Sequence, residues 1–255
     1  MGIQIDRNKC IGCGLCVKDC VSGIIGLKDG KAVMNASHCI ECGHCFAICP
    51  QQAVSMPGYD EKDCGSVVSM EEIDSNTLLA AMKSRRTIRQ FKKLPVDQEK
   101  LDMILQAGRY CPTGTNAQKV AYTILGSRQE EIEAHCIQLF RKGQKAASPV
   151  SKFVRNANID DHFLFKGAPL VIVVSGTNGV DASLASSYME LMAESLGLGV
   201  LYSGFFVAAA RLSGKVRKLL SLPPKHKPIT CMVIGYPDVH YQRTPPRKPL
   251  KAKIL

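Results

Sequence analysis

The chain has 255 residues, 45% of them hydrophobic and only 6% aromatic, with no Trp and a formal net charge of +11. That length and apolar share support one sizeable core, or a small module beside a medium one, and exclude a disordered chain. Apolar runs such as APLVIVV at 168–174 stop far short of the roughly twenty residues of a membrane helix, and the scarcity of aromatic stacking platforms argues against nucleic acid as a partner despite the basic charge.

The opening MGIQIDRNKC has no apolar signal segment and no cleavage site, and Asp6 stands where a myristoylation pattern wants Ser or Thr. A cytoplasmic location without a membrane anchor is therefore expected. Two cysteine runs follow, CIGCGLCVKDC at 10–20 and CIECGHCFAICP at 39–50. Cys10, Cys13, Cys16 and Cys20 recur as Cys39, Cys42, Cys45 and Cys49, each displaced by 29 residues, which marks an internal duplication. Eight cysteines packed into the first fifth of the chain point to metal rather than to cross-links. The first three of each run sit on a tight loop eased by Gly12, Gly14 and Gly43, while the fourth lies too far along to join them. Structural zinc is the alternative, although three cysteines at x2, x2 spacing are unusual for it. With complete cysteine sets beside them, His38 and His44 are expected to be exposed neighbours. Between the runs, LKDGKAVM at 27–34 predicts a hairpin turning at Asp29-Gly30.

Over about residues 1–60 these features resemble a bacterial two-cluster ferredoxin, with Pro50 directly after Cys49 as in that family and Val21 in place of the corresponding proline after Cys20. The resemblance implies two 4Fe-4S clusters with crossed ligation. Cys10, Cys13, Cys16 and Cys49 would hold one, and Cys39, Cys42, Cys45 and Cys20 the other. Two such clusters would remove about four units of the positive charge, because the formal count treats every thiol as neutral.

Residues 61–74, rich in acids and without a steady period, read as a linker. A second domain is expected over 75–255. Asp97 is predicted to cap a helix whose Leu101, Ile104, Leu105 and Gly108 share one face. Ser127 and Glu130 form a capping-box pattern ahead of Ile132, Cys136, Leu139 and Phe140. VAYTIL at 120–125, APLVIVVSG at 168–176 and ITCMVIG at 229–235 read as buried strands, and 180–196 as a helix ended by Gly197. The order gives an α+β fold around a small sheet. Cys136 and Cys231 fall on apolar elements as small core residues, Cys111 precedes a polar loop, and Cys64 lies in the linker. Residues 152–167, which contain His162, read either as a lid or as a packed surface helix.

No G-x-G-x-x-G or Walker pattern is present, so a phosphate site must be built otherwise. SRRTIRQF at 84–91 places Arg85, Arg86 and Arg89 with Thr87 within five residues, a group suited to phosphate, although such runs are also common on solvated helix ends. This segment, CPTGTNAQ at 111–118, SLGLGVLYSGF at 195–205, VIGYP at 233–237 and RKPL at 247–250 resemble the nitroreductase family in order and spacing, over roughly residues 75–255.

The resemblance implies an α+β flavoprotein, a homodimer with FMN at the subunit interface. Arg85, Arg86, Thr87 and Arg89 match the motif that meets the FMN phosphate and ribityl chain, and Asn116 the flavin-contacting asparagine. Pro112, Thr113 and Gly114 match the loop beside the ring, Gly199 the segment near it, and Arg247 with Lys248 the C-terminal phosphate contact. Many relatives carry serine where Thr113 and Gly114 stand, and a Pro-aromatic pair where Lys119 and Val120 follow Gln118. No catalytic acid or base is assigned. The expected function is an FMN-dependent oxidoreductase in which electrons pass through the two clusters to FMN and on to a small organic acceptor such as a nitroaromatic or quinone, with reduced ferredoxin or NAD(P)H as donor. The alternatives are a non-enzymatic electron carrier whose second domain docks or dimerises, and a flavin-dependent dehalogenase or enone reductase.

Overall fold

The structure, a computed structural model, describes residues 2–36, 38–61, 64–65, 67–69, 72–147 and 158–254. The chain divides into two compact units, residues 1–72 with 113–117, and residues 73–112 with 118–255.

In the first unit each cysteine run turns through a left-handed glycine, Gly14 (φ 75°) or Gly43 (φ 78°), into a short helix, α1 (Leu15–Asp19) or α2 (His44–Ala47). The duplication seen in the sequence is thus a duplication of backbone. Strand β1 (Gln4–Ile5) pairs antiparallel with β4 (Val54–Ser55), joining the two ends of the module. Strands β2 (Ile25–Lys28) and β3 (Lys31–Met34) form the predicted hairpin, with Lys28 opposite Lys31 and both turn residues, Asp29 and Gly30, at positive φ as a two-residue I′ loop requires. Ile3, Ile24, Ile25, Ala32, Ala53, Val54 and Met56 pack around Cys10, Cys16 and Cys45. A core this small gains from metal ligation.

The second unit is built on a four-stranded antiparallel sheet in the order β5 (Val120–Ile124), β6 (Leu170–Gly176), β8 (Lys227–Gly235), β7 (Gly199–Tyr202). All seven residues of β6 are buried, so both sheet faces are covered. The strand period of two sorts its side chains. Val171, Val173, Cys231 and Val233 face Ile132 and Cys136 of α5 (Gln129–Ala147), Phe206 and Ala210 of α7 (Gly204–Leu212) and Val216 of α8 (Gly214–Leu220). Ile172, Val174, Met232 and Ile234 face Ile104 of α4 (Gln98–Arg109) and Ala182 and Met189 of α6 (Gly179–Ser195). The α+β architecture follows directly from the sequence pattern, as do three of the four strands.

Helix α6 begins at Asn178, whose side chain accepts from Val180 N, and ends in a Schellman motif. Leu198 N donates to the Ala193 carbonyl (2.9 Å), Gly197 N donates to Glu194 (3.0 Å), and Gly197 sits at φ 77°. Two predicted caps work differently. Asp97 holds the N-cap position of α4 without bonding the helix, because its carboxylate accepts from the Tyr236 hydroxyl (3.0 Å). Ser127 lies inside a 3-10 turn (Gly126–Arg128) that leads into α5, so the chain is already helical where the capping box was expected. Helix α3 (Ser75–Ser84) is capped by Asp74, which accepts from Thr77 N at 2.7 Å, and buries none of its residues.

Candidate redox-cofactor sites

The first unit holds two matched cavities. One is lined by Cys10, Cys13, Cys16 and Cys49; the other by Cys20, Cys39, Cys42 and Cys45. Each takes three cysteines from one run and the fourth from the other, as the ferredoxin resemblance implied. Among the described residues no three His, Cys, Asp or Glu side chains converge as a single metal ion requires. The thiols are spread around each cavity wall, an arrangement that suits a polynuclear cluster and not one zinc ion.

Backbone N–H groups already point at sulfur. Ala32 N donates to Cys10 Sγ, Glu41 N to Cys39 Sγ and Ala53 N to Cys49 Sγ, each at 3.3 Å. The bond from Ala32 holds the Cys10 thiol below its ordinary pKa, whereas burial pushes Cys45 up to about 11. Cys45 therefore becomes a thiolate at neutral pH only with the charge of bound iron beside it. His38 is exposed, and His44, also exposed, lines the rim of the second cavity with its Nδ1 3.2 Å from Asp19 Oδ2.

Glu41, which motif reading passed over, links three segments of this unit. It sits at φ 53° between Cys39 and Cys42. Its N–H reaches Cys39 Sγ, its Oε2 accepts from the Tyr59 hydroxyl (3.1 Å), and its carbonyl accepts from Asn116 Nδ2 (2.7 Å). The loop 113–117, with Thr113, Gly114 and Asn116, belongs to the first unit although the sequence places it after α4. Thr115 (φ 52°) and Asn116 (φ 51°) are both left-handed.

The other predicted cofactor contacts, Arg85, Arg86, Thr87, Arg89, Pro112, Gly199, Arg247 and Lys248, fall in the second unit. Residues 87–92 form an arm along the sheet edge. Thr87 bridges Val200 of β7 in parallel, with Ile88 N donating to the Val200 carbonyl (3.1 Å), and Lys92 N donates to Tyr236 (2.9 Å). Ile88 and Phe91 turn inward, while Arg85 and Arg86 are half-buried and Arg89 is exposed. Gly199 is what allows the arm to close: a Cβ there would stand 2.9 Å from Ile88 Cβ and 3.1 Å from Pro237 Cγ. Its contribution to the site is steric. The Arg86 guanidinium lies 5.8 Å from the Tyr241 ring centroid, holding the start of the C-terminal tail, in which Arg247 and Lys248 are exposed.

Arg85 has a partner that no motif announced. Its Nη1 donates to Glu190 Oε1 of α6 at 2.8 Å, and the Tyr202 hydroxyl of β7 lies 3.4 Å from Glu190 Oε2 while donating to the Ser186 carbonyl at 2.9 Å. One helical turn on, Glu194 Oε1 is buried without a hydrogen-bond partner. Burial, and then the charge of Glu190, push the Glu194 carboxyl up to about 7 against the opposing pull of Arg85.

Elsewhere, Cys136 and Cys231 are core residues, 0% and 1% exposed. Burial raises the Cys111 thiol, which does not favour a reactive thiolate. Glu133 of α5, itself buried, accepts from Leu164 N (3.0 Å) and Phe165 N (2.7 Å), so this described part of the segment suggested as a lid is anchored. Residues 152–157 of that segment lie outside the described residues.

A module with two four-thiol cavities, followed by an α+β domain with an arginine arm on its sheet edge, defines a redox protein. Residues 82–236, more than half of the chain, match the Nitroreductase family, and residues 9–54 match the 4Fe-4S dicluster domain. The chain belongs to the nitroreductase family and carries an N-terminal 4Fe-4S dicluster module. A Methanothermobacter thermautotrophicus protein whose name pairs NADH dehydrogenase with NAD(P)H nitroreductase is 27% identical over 178 residues, covering 65% of this chain and 80% of its own. A Bacillus subtilis protein named as an NAD(P)H FMN reductase is 29% identical over 175 residues, covering 64% of this chain and 66% of its own. The solved structure of a nitroreductase with bound FMN from Desulfitobacterium hafniense shares the fold, with a TM-score of 0.58 and 22% identity, over 71% of this chain and 98% of that one.

Proposed function

We propose that this protein is an FMN-dependent oxidoreductase in which two 4Fe-4S clusters feed electrons to FMN for delivery, singly or as a hydride, to a small organic acceptor such as a nitroaromatic or quinone. Family membership supports the flavin. The donor set also fits its phosphate, since three guanidinium groups and a threonine hydroxyl offer bidentate, charge-assisted bonds to a dianion. Arg85, Arg86, Thr87 and Arg89 would hold phosphate and ribityl, Arg247 and Lys248 would close over the phosphate, and Pro112, Thr113, Gly114 and Asn116 would border the ring.

The observation that carries the electron path is the bonded chain from Cys39 Sγ through the Glu41 backbone to Asn116 Nδ2. It ties a ligand of the second cavity to the residue matched to flavin contact, and it leaves Asn116 Oδ1 to meet the ring. The cluster on Cys20, Cys39, Cys42 and Cys45 is then the exit of the relay, and the cluster on Cys10, Cys13, Cys16 and Cys49 its entrance. An external low-potential carrier such as ferredoxin is the donor that gives two clusters a purpose, with NAD(P)H the competing donor. Val180, Leu184 and Tyr188 form an exposed apolar stripe at i, i+4, i+8 on α6, which supports a homodimer.

The test is an anaerobic titration of the cluster-reconstituted protein with NADH, NADPH and then a reduced low-potential carrier, following flavin absorbance, with cluster reduction followed by electron spin resonance. Flavin bleaching only with the carrier, slowed in Asn116→Leu, is the expected result. Prompt bleaching by nicotinamide with the clusters still oxidised would remove them from the main path. A protein that retains no FMN would be an electron carrier instead.

A further inference from the structure

The chemistry of α6 around Glu190 and Glu194 is not explained by holding a cofactor. A guanidinium suited to phosphate needs no buried acid behind it, and a second acid one turn away is costly to bury. Here two acids stand one helical turn apart, and the half-buried Arg85 bonds one of them, Glu190. Arg85 faces Glu190 from the arm at 2.8 Å, Tyr202 faces it from β7, and Glu194 completes the group on the same helix. From α4, Lys100 reaches the helix end, donating to the Leu196 carbonyl at 3.2 Å and to the Tyr236 hydroxyl at 2.9 Å. The Tyr202 hydroxyl donates to the Ser186 carbonyl at 2.9 Å and, at 3.4 Å, toward Glu190 Oε2. The charged form of Glu190 is thus held by Arg85 and Tyr202 while Glu194 Oε1 is buried without a partner, and a proton taken up by the pair belongs first on Glu194.

We propose that Glu190 and Glu194 act as one buried acid pair that takes up a proton when a phosphate-bearing ligand settles on Arg85, so that ligand binding and proton uptake are coupled. The inference rests on the reading of the arm as a phosphate site. A dianion on Arg85 adds negative charge beside the pair and competes for the cation that compensates it, and both effects favour the protonated form. The step is balanced: solvent gives up one H⁺, the pair gains it, and no bond to the ligand is formed. The Glu194 carboxyl, held near neutrality, is poised for this exchange. By linkage, a bound state that holds more protons binds its ligand more weakly as pH rises.

FMN is the probe, and the window is pH 7 to 9, where its phosphate stays dianionic and adds no titration of its own. Calorimetric titration of the cluster-loaded protein in two buffers of different ionisation enthalpy should show uptake of a sizeable fraction of a proton per FMN. The affinity should fall about fivefold across the window, for a pair raised by about one pKa unit on binding. Glu194→Gln should abolish the uptake and flatten the profile. Should that variant fail to fold, infrared titration of the unaltered protein replaces it: a protonated-carboxyl band with a midpoint near neutrality should move to higher pH on adding FMN or sulfate. A flat affinity profile, uptake that survives in the variant, or a midpoint indifferent to anion would overturn the proposal. Absence of FMN binding together with a sulfate-sensitive midpoint would sink the flavin reading and leave the acid pair standing.

Discussion

Gly199→Ala is the substitution that best isolates how the arm is held. The position lies in a strand and is fully enclosed, so the added methyl acts through crowding alone. Its Cβ would meet Ile88 Cβ at 2.9 Å and Pro237 Cγ at 3.1 Å, and Ile88, being β-branched and held by its backbone bond to Val200, cannot swing aside. Overpacking of this kind costs roughly 1–3 kcal/mol, or about 3–10 °C of melting temperature for a domain of this size. The alternative to that cost is displacement of the arm from β7, which carries Arg85, Arg86 and Arg89 with it. FMN affinity, read by flavin fluorescence, and thermal unfolding should therefore fall together. Ile88→Ala in the same chain removes Ile88 Cγ1, the atom nearest the added methyl, and leaves Cβ in place. The double variant should be less destabilised than the sum of the two single ones by more than about 0.5 kcal/mol. Unchanged melting and FMN affinity in Gly199→Ala, or strict additivity in the cycle, would refute the account.

Crossed ligation predicts that Cys20→Ser and Cys42→Ser abolish the same cluster signal, and that Cys49→Ser and Cys13→Ser abolish the other, as read by iron content and low-temperature spin resonance; pairing by sequence run instead would contradict the cavity assignment. Glu133→Ala leaves the N–H groups of Leu164 and Phe165 without their buried acceptor and should cost about 1–3 kcal/mol in chemical unfolding. For stability against pH, the folded Glu194 carboxyl lies above its ordinary value of 4.5, at about 7. The folded state therefore binds the extra proton between those values, and stability falls as pH rises through that window. Glu194→Gln should remove this slope and gain at most about 3 kcal/mol above pH 7; a slope that persists in the variant would place its origin elsewhere.

The parts that were legible in the sequence are those written in short, local periods. Cysteine spacing showed three cysteines on each tight loop and a fourth beyond its reach, and the ferredoxin resemblance implied the crossing between runs that the linings of the two cavities display. The Asp29-Gly30 turn and the β-branched runs at 168–176 and 229–235 were equally local. Strand β7 was missed because GVLY, four residues between Gly197 and Ser203, is too short to show a period, and it becomes a strand only by pairing with β8. Asp97 was placed correctly at the start of α4 and given the wrong task, since the Tyr236 hydroxyl that takes up its carboxylate is 139 residues away.

The same distance explains why Glu190, Glu194 and Glu41 left no trace in the motifs. On α6, two glutamates four residues apart read as a solvated face, and only the closure of the arm onto β7 brings Arg85, 105 residues earlier, against Glu190. Gly199 permits that closure, Ile88 seals it, and the cation arrives with the seal. The closure that forms the arm also sets Arg85 against Glu190, and the Glu194 carboxyl is raised first by burial and lowered by Arg85. A change at Gly199 should therefore be felt at Glu194. In Gly199→Ala, withdrawal of the cation alone would raise the midpoint and entry of solvent would lower it. Burial is the larger cause, so the infrared midpoint of the carboxyl should move down toward the ordinary range even though neither glutamate has been altered. A midpoint that stays near neutrality while FMN affinity falls would mean that the acid pair is walled by α4 and β7 alone, and that arm and proton site are independent.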